Sequence, residues 1–254
     1  DSVKQDNTDD IDGMACFETK KDIEDKEGVH TADSLQTIKG KQPLVDTQET
    51  QNTQDTQNNH YVPSKIMLLQ TQLNNIYSYK GERIAYLTFD DGPTPYLTEA
   101  ILDILKEEEI KATFFPIGSN AERYPDLIRR QYEEGHGIGN HTYSHVFKHI
   151  YGSLDNYVNE LILTEQILQS ILGYNKEFKL TRFPGGSFGK ALAPYREAVN
   201  EAGYLYIDWN SLNGDAKTTK KRTREQLVKR LKETVKDQSG LIVLMHDAPN
   251  KETT

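Results

Sequence analysis

The sequence predicts an α/β fold with parallel strands, closed as a barrel rather than spread as an open sheet. Three observations carry this. From about Tyr61 onward, short apolar, β-rich runs alternate with stretches of helical periodicity, and parallel neighbours need such long crossovers. Five segments bearing Asp, His and Arg follow the predicted strands in order: Thr88–Pro93 (TFDDGP), His141–His145 (HTYSH), Arg182–Gly186 (RFPGG), Asp208–Asp215 (DWNSLNGD) and Leu244–His246 (LMH). In parallel α/β folds the carboxyl ends of strands form the chemical face, and contributions from nearly every strand favour a barrel.

The first sixty residues have no such pattern. They carry 14 acids against 6 bases and one aromatic, Phe17, so the chain's net charge of −9 is almost wholly theirs. Thr47–Asn58 repeats a polar triplet four times. Such a stretch cannot bury enough apolar surface to offset chain entropy, so residues 1–60 are expected to be a disordered linker or stalk. The near-neutral remainder gives no argument for a nucleic-acid partner. Cys16 is the only cysteine, which rules out an internal disulfide. No apolar run is long enough to span a membrane.

Residues 61–82 are read as a lead-in segment, in which Lys65–Tyr77 fits either a helix or a strand. Strands are expected at Ile84–Phe89, Ala112–Ile117, Gly137–Asn140, Phe178–Phe183, Tyr204–Asn210 and Leu241–Met245. Between them, Tyr96–Glu108 places Leu97, Ile101, Ile104 and Leu105 on one helical face. Ala121–Glu134 is the next expected helix, stopped by Gly135. Ser153–Gly173 has a Ser at its start and a Gly at its end, the usual cap residues. Ala191–Gly203 and Thr223–Lys236 complete the helices. A closing helix and strand are expected beyond the last strand.

His141 and His145, read as lying on one helical turn, project to the same side and can share a metal. Alone, that spacing fits ordinary surface or core histidines equally well. The Asp90-Asp91 pair adds an oxygen ligand from another strand end, and two histidines with one carboxylate form a common catalytic zinc set. The same donors suit Fe(II). Neighbouring side chains on a strand diverge, but the Gly92-Pro93 turn can bring both carboxylates into one pocket, one as ligand and one as base. Arg182 beside the base would favour its charged form. Breaking an amide also needs a proton donor, and His246, with an aspartate on its other ring nitrogen, is placed for that.

These five segments together resemble the motifs of the polysaccharide deacetylase family, the NodB-homology domain of carbohydrate esterase family 4. The resemblance covers residues 83–254 and implies a distorted, incomplete (β/α) barrel. It implies metal-dependent hydrolysis of N-acetyl groups on a polysaccharide, with peptidoglycan GlcNAc or MurNAc, or chitin-like oligomers, as substrate. By resemblance Asp90 is the base, and Asp91, His141 and His145 hold the metal, Zn²⁺ or another divalent ion such as Co²⁺. Arg182 orients the base, His246 is the acid, and Leu244 lines the acetyl pocket. Gly185 offers a backbone N–H to the oxyanion. Trp209 and Tyr143 are expected to contact substrate.

Two segments depart from the family pattern. Gly185 stands where an aromatic often follows the proline of the third motif. The fourth motif, usually Asp-x-x-Asp-Trp, has only Asp215 in register, with Ala216 after it. Asp215 is assigned as the partner of His246, and Asp208 beside Trp209 is its competitor. His136 and His149 are read as structural. The resemblance further implies an extracellular or cell-surface monomer, acting on cell-wall glycan and meeting a membrane only through an anchor outside this chain. Acetyl-xylan O-deacetylation and glycan binding without turnover on the same fold are the alternatives.

Overall fold

The computed structural model describes residues 65–216, 222–249, 251 and 253–254; the expected stalk, residues 1–60, lies outside them. The lead-in is a helix, α1 (Lys65–Asn74), followed by a 3₁₀ turn over Asn75–Ser78. Strands are β1 (Ile84–Asp90), β2 (Ala112–Phe115), β3 (Gly137–Ile138), β4 (Leu180–Thr181), β5 (Leu205–Tyr206), β6 (Ser211–Leu212) and β7 (Gly240–His246). The helices between them are α2 (Leu97–Glu107), α3 (Gly118–Arg123), α4 (Pro125–Glu133), α5 (Phe147–Ile150), α6 (Leu154–Leu172), α7 (Ala193–Glu201) and α8 (Arg224–Val235).

Every strand pair is parallel. One sheet runs β3-β2-β1-β7-β6, and β4 pairs with β5. A bridge between Asn140 and Thr181 carries the ladder on from β3 to β4. The single stretch 205–212 pairs first with β4 and then, after four intervening residues, with β7. The ladder therefore passes round the α/β ring, with only Leu205–Tyr206 of the expected Tyr204–Asn210 strand forming β5 and with β6 just beyond its expected end. Its pairs are short, and that is the distortion of the barrel.

β7 shows how the layers form. All seven of its residues are buried. Successive side chains point to opposite faces, so Ile242 and Leu244 face inward onto Phe115, Ile207 and Trp209. Val243 and Met245 face outward onto Ile101, Leu102 and Leu105 of α2. A parallel strand covered on both faces reads as the unbroken apolar run LIVLM. Gly240, at the other end of β7, has no room for a Cβ because Ile76 of the lead-in lies against it. Gln70 of α1 exchanges two hydrogen bonds with the backbone of Tyr206, both 2.9 Å. The lead-in thus covers the ring at the end away from the strands' carboxyl termini.

Three expectations are corrected. The helix expected over Ala121–Glu134 is two helices, α3 and α4, parted at Tyr124 because Pro125 disfavours the α conformation in the residue before it. The HTYSH segment is not helical. Thr142 and His145 have φ of 64° and 55°, so the chain reverses twice between Asn140 and α5. A 3₁₀ turn over Lys190–Leu192 precedes α7. The Ser153 hydroxyl accepts from Asn156 N–H at the start of α6, and Thr223 with Gln226 forms a capping box on α8.

Candidate active site

The site lies at the carboxyl ends of the strands. Asp90 ends β1 and His246 ends β7, paired in register with it. Arg182 follows β4, and His141 follows the Asn140 bridge. One cavity of about 570 Å³ is lined by Asp90, Asp91, His141, His145, Asp215 and His246, with Gly185, Trp209 and Leu244 on its walls.

The two adjacent aspartates reach this cavity by different routes. Asp90 still belongs to β1 and shares its inward face with Thr88. Asp91 is past the strand at φ 75°, and this left-handed residue swings its carboxylate back to the same side. Phe115 accepts from Asp91 N–H at 3.3 Å, Gly92 accepts from Ile117 N–H at 3.0 Å, and the Asn120 amide donates to the Asp91 carbonyl at 2.8 Å. The turn is therefore held by β2 and α3 rather than by its own sequence.

Asp91 Oδ1 lies 3.4 Å from Nε2 of both His141 and His145, and it is buried without a hydrogen-bond partner. An orphaned carboxylate oxygen facing two ring nitrogens fits a cation. Donor atoms about 2.1 Å from one ion at the tetrahedral angle lie about 3.4 Å apart. His141 Nδ1 donates to the Arg182 carbonyl at 2.8 Å, which leaves the Nε2 lone pair pointing into the site. The three side chains form the one candidate metal cluster among the described residues. Burial works against a charged Asp91, but the close ring of His141 and the charges of His246 and His145 outweigh it and hold its pKa well below the usual carboxylate range.

Arg182 is completely buried. Its NH1 donates to Asp90 Oδ1 at 2.9 Å and to the Thr88 hydroxyl at 2.7 Å, Nε donates to the Ile207 carbonyl, and NH2 donates to the Asp208 carbonyl. Its guanidinium lies 4.2 Å from the centre of the Phe115 ring. With every face engaged, the group cannot rotate away, and it fixes the Asp90 carboxylate.

On the neighbouring strand β7, His246 Nδ1 lies 2.7 Å from Asp215 Oδ1, and Asp215 Oδ2 accepts from His246 N–H at 2.9 Å. Burial disfavours the charged ring, but the Asp215 bond and charge, with Asp91 and Asp90 beyond, raise its pKa to about 9. Asp208, the competitor, faces elsewhere. Its carboxylate accepts from Ser187 N–H at 2.7 Å and from the Ser187 hydroxyl. Burial pushes its pKa up to about 6 against those bonds. Asp208 anchors the loop after RFPGG, whereas Asp215 holds the histidine.

The RFPGG segment is a turn in which Gly186 N–H donates to the Phe183 carbonyl at 2.8 Å, with Pro184 second and Gly185 third at φ 78°. Gly supplies that positive φ at the third position without strain. Among the described residues Gly185 N–H has no backbone or side-chain acceptor, so it is free to donate into the cavity. Trp209 packs edge-on to Phe188 and lines the cavity from beneath. Tyr143 does not contact the cavity. The reversal at Thr142 turns it outward, where its hydroxyl donates to Glu122 at 2.8 Å. His136 accepts from Ala112 N–H and His149 faces Glu160 at 3.4 Å, both away from the cavity.

Two further acids support the site. Glu160 on α6 is buried, and its Oε2 accepts from Tyr143 N–H and Ser144 N–H at 2.9 and 2.6 Å, holding the non-helical histidine loop. Asp247, directly after His246, is buried against Gly92. Neither lies within a motif. Glu160 looked like any helical Glu, and only its position among the apolar residues of α6 could have marked it.

Taken as chemistry, the site is that of a hydrolase: a fixed carboxylate, a histidine of raised pKa on the next strand, and a three-donor cradle in the same cavity. Residues 78–207 match the polysaccharide deacetylase family model. A peptidoglycan-N-acetylglucosamine deacetylase of Bacillus cereus is 35% identical over 170 residues, covering 67% of this chain and 75% of that protein. A second Bacillus cereus protein of the same name is 41% identical over 133 residues, covering 52% of this chain and 47% of its own length. A CE4 esterase of Streptococcus mutans superposes with a TM-score of 0.66 at 30% identity, covering 73% of this chain and 82% of that one. The chain belongs to the polysaccharide deacetylase family. It spans less than half the length of some curated relatives it matches.

Proposed function

We propose that the protein removes N-acetyl groups from a cell-wall glycan outside the cell, with peptidoglycan GlcNAc or MurNAc as substrate. The observation that carries this is the meeting of Asp90–Arg182, Asp91–His141–His145 and His246–Asp215 in one cavity. The relatives named for peptidoglycan N-acetylglucosamine favour that sugar.

Asp91, His141 and His145 would hold one divalent ion, Zn²⁺ by its preference for this donor set, which supplies carbonyl polarisation and a more acidic water when bound. Asp90, held by Arg182, takes the proton of the water that attacks the acetamide carbon. Gly185 N–H donates to the oxygen as it becomes negative. His246 gives its proton to the nitrogen as the C–N bond breaks, so that acetate and a free amine leave. Asp215 keeps that proton on His246 until then. Leu244 and Trp209 give the acetyl methyl an apolar wall.

The test is release of free acetate from N-acetylglucosamine oligomers and from peptidoglycan, with and without Zn²⁺. Ion-dependent release is expected. No release from either substrate overturns the reading, and release from acetyl-xylan alone transfers it to O-deacetylation. Release by Asp90→Asn at the wild-type rate would remove Asp90 from the role of base, and glycan binding by a wild type that releases no acetate would leave only the binding role.

A further inference from the structure

We propose that Asp247 is a positioning residue that ties the strand carrying the acid His246 to the turn carrying Asp90 and Asp91. Asp247 extends the β1–β7 pairing by one residue, its N–H donating to the Asp90 carbonyl at 3.1 Å. Its side chain turns the other way. Oδ2 accepts from the Thr98 hydroxyl at 2.7 Å, and that hydroxyl in turn accepts from Thr94 N–H at 2.8 Å. Both residues are buried, Asp247 to 1% and Thr98 to 0%. The carboxylate also lies against the Cα of Gly92, so close that a Cβ there would run into it. One side chain thus grips both ends of the segment from Gly92 to the start of α2, while its backbone holds Asp90.

The consequence lies in Asp91. Its left-handed φ is a conformation non-glycine residues rarely adopt, and it persists only if the surrounding structure holds it. Asn120 and Ile117 hold the turn from the α3 side, and Asp247 holds it from the β7 side. Asp247 Oδ1 is buried without a partner, so part of this carboxylate's burial goes uncompensated. A buried acid kept at that cost, next to His246 and behind Asp91, fixes the distance between the proton donor and the cation cradle. This inference rests on the reading of Asp91, His141 and His145 as a metal site.

The test is Zn²⁺ affinity, measured by competition with a chromophoric chelator on protein whose fold is checked by circular dichroism. Asp247→Ala is expected to weaken binding about 10- to 100-fold, the range seen when groups supporting metal ligands are lost. Asp247→Asn, whose amide oxygen still accepts from Thr98, is expected to keep affinity within about threefold, below that range. Gly92→Ala should weaken binding in the wild type, yet add little in the Asp247→Ala background, where the obstructing carboxylate is gone. In acetate release, Asp247→Ala should lower kcat with KM unchanged. Should Asp247→Ala fail to fold, Thr98→Ala carries the same expectation for Zn²⁺. Wild-type affinity in folded Asp247→Ala, or simple addition of its effect and that of Gly92→Ala, overturns the inference alone. A wild type that binds no Zn²⁺ overturns the metal-site reading together with it.

Discussion

His246 Nδ1 and Asp215 Oδ1 are 2.7 Å apart, and the same carboxylate receives the His246 backbone N–H through its other oxygen. One aspartate therefore fixes both the position of the histidine and the tautomer of its ring. His246 is raised to about 9, so the charged acid persists through neutral pH and is lost as pH rises through that value. A kcat profile should hold its plateau below that pH and fall above it. Asp215→Asn removes the charge that keeps the proton and should move this alkaline limb to lower pH. An unmoved limb would mean that another group donates the proton.

Asp208→Asn serves as the contrast. Its carboxylate bonds Ser187 and not His246, so the alkaline limb should stay in place. Two bonds to the Ser187 loop are disturbed, at a cost of about 1–3 kcal/mol. Thermal unfolding should show a lower Tm while the pH profile is retained.

The Asp215–His246 pair also sets a window of stability. The folded His246 pKa lies above its ordinary value of 6.5, so its contribution is complete below that pH and is lost as pH rises through about 9. The Asp215 pKa is lowered although burial opposes it, because His246 bonds and charges it, so its contribution is lost as pH falls into the acid range. The Tm difference between wild type and Asp215→Ala should therefore be largest at mildly acidic pH, above the ordinary carboxylate value of 3.8 and below 6.5, and shrink on both sides. A difference independent of pH would contradict the pairing.

Glu160→Ala should loosen the histidine loop. Two backbone N–H groups, of Tyr143 and Ser144, lose their acceptor, at about 1–3 kcal/mol for each group left unpaired. Because these residues lie between His141 and His145, Zn²⁺ affinity should fall along with Tm. Titration with the ion and a melting curve of the metal-free protein check the two effects separately.

Gly185→Ala tests the turn. At φ 78° a Cβ is strained, and it would sit 3.1 Å from the Phe147 ring, so a cost of about 1–2 kcal/mol is expected. The unpaired N–H of this cavity-lining residue should shift with it. The expected result is a lower kcat with Zn²⁺ affinity unchanged.

Much of this arrangement was legible in the sequence because each catalytic candidate ends a strand, and strands with both faces covered read as apolar runs. The LIVLM run before His246 and the cap at Ser153 are examples. The histidine loop was not legible as it stands. A spacing of four suggests a helical turn, while left-handed Thr142 and His145 bring the rings together in another way and send Tyr143 outward. The break at Tyr124 was missed although Pro125 signals it, since the residue before a proline resists the helical conformation. The choice between Asp208 and Asp215 depended on which neighbour each meets, Ser187 or His246, and that is tertiary. Glu160 and Asp247 act across elements far apart in the chain, so no local spacing announces them.

The division of labour between Asp90 and Asp91 is the centre of the account, and Asp90→Asn tests it most directly. Asp90 is held by Arg182, while Asp91 Oδ1 faces the two histidines. Acetate release per bound Zn²⁺ should fall by about 10²- to 10⁴-fold in Asp90→Asn, the scale of a lost general base, with Zn²⁺ bound as in the wild type. Loss of Zn²⁺ from Asp90→Asn, or an unchanged rate per bound ion, would contradict it.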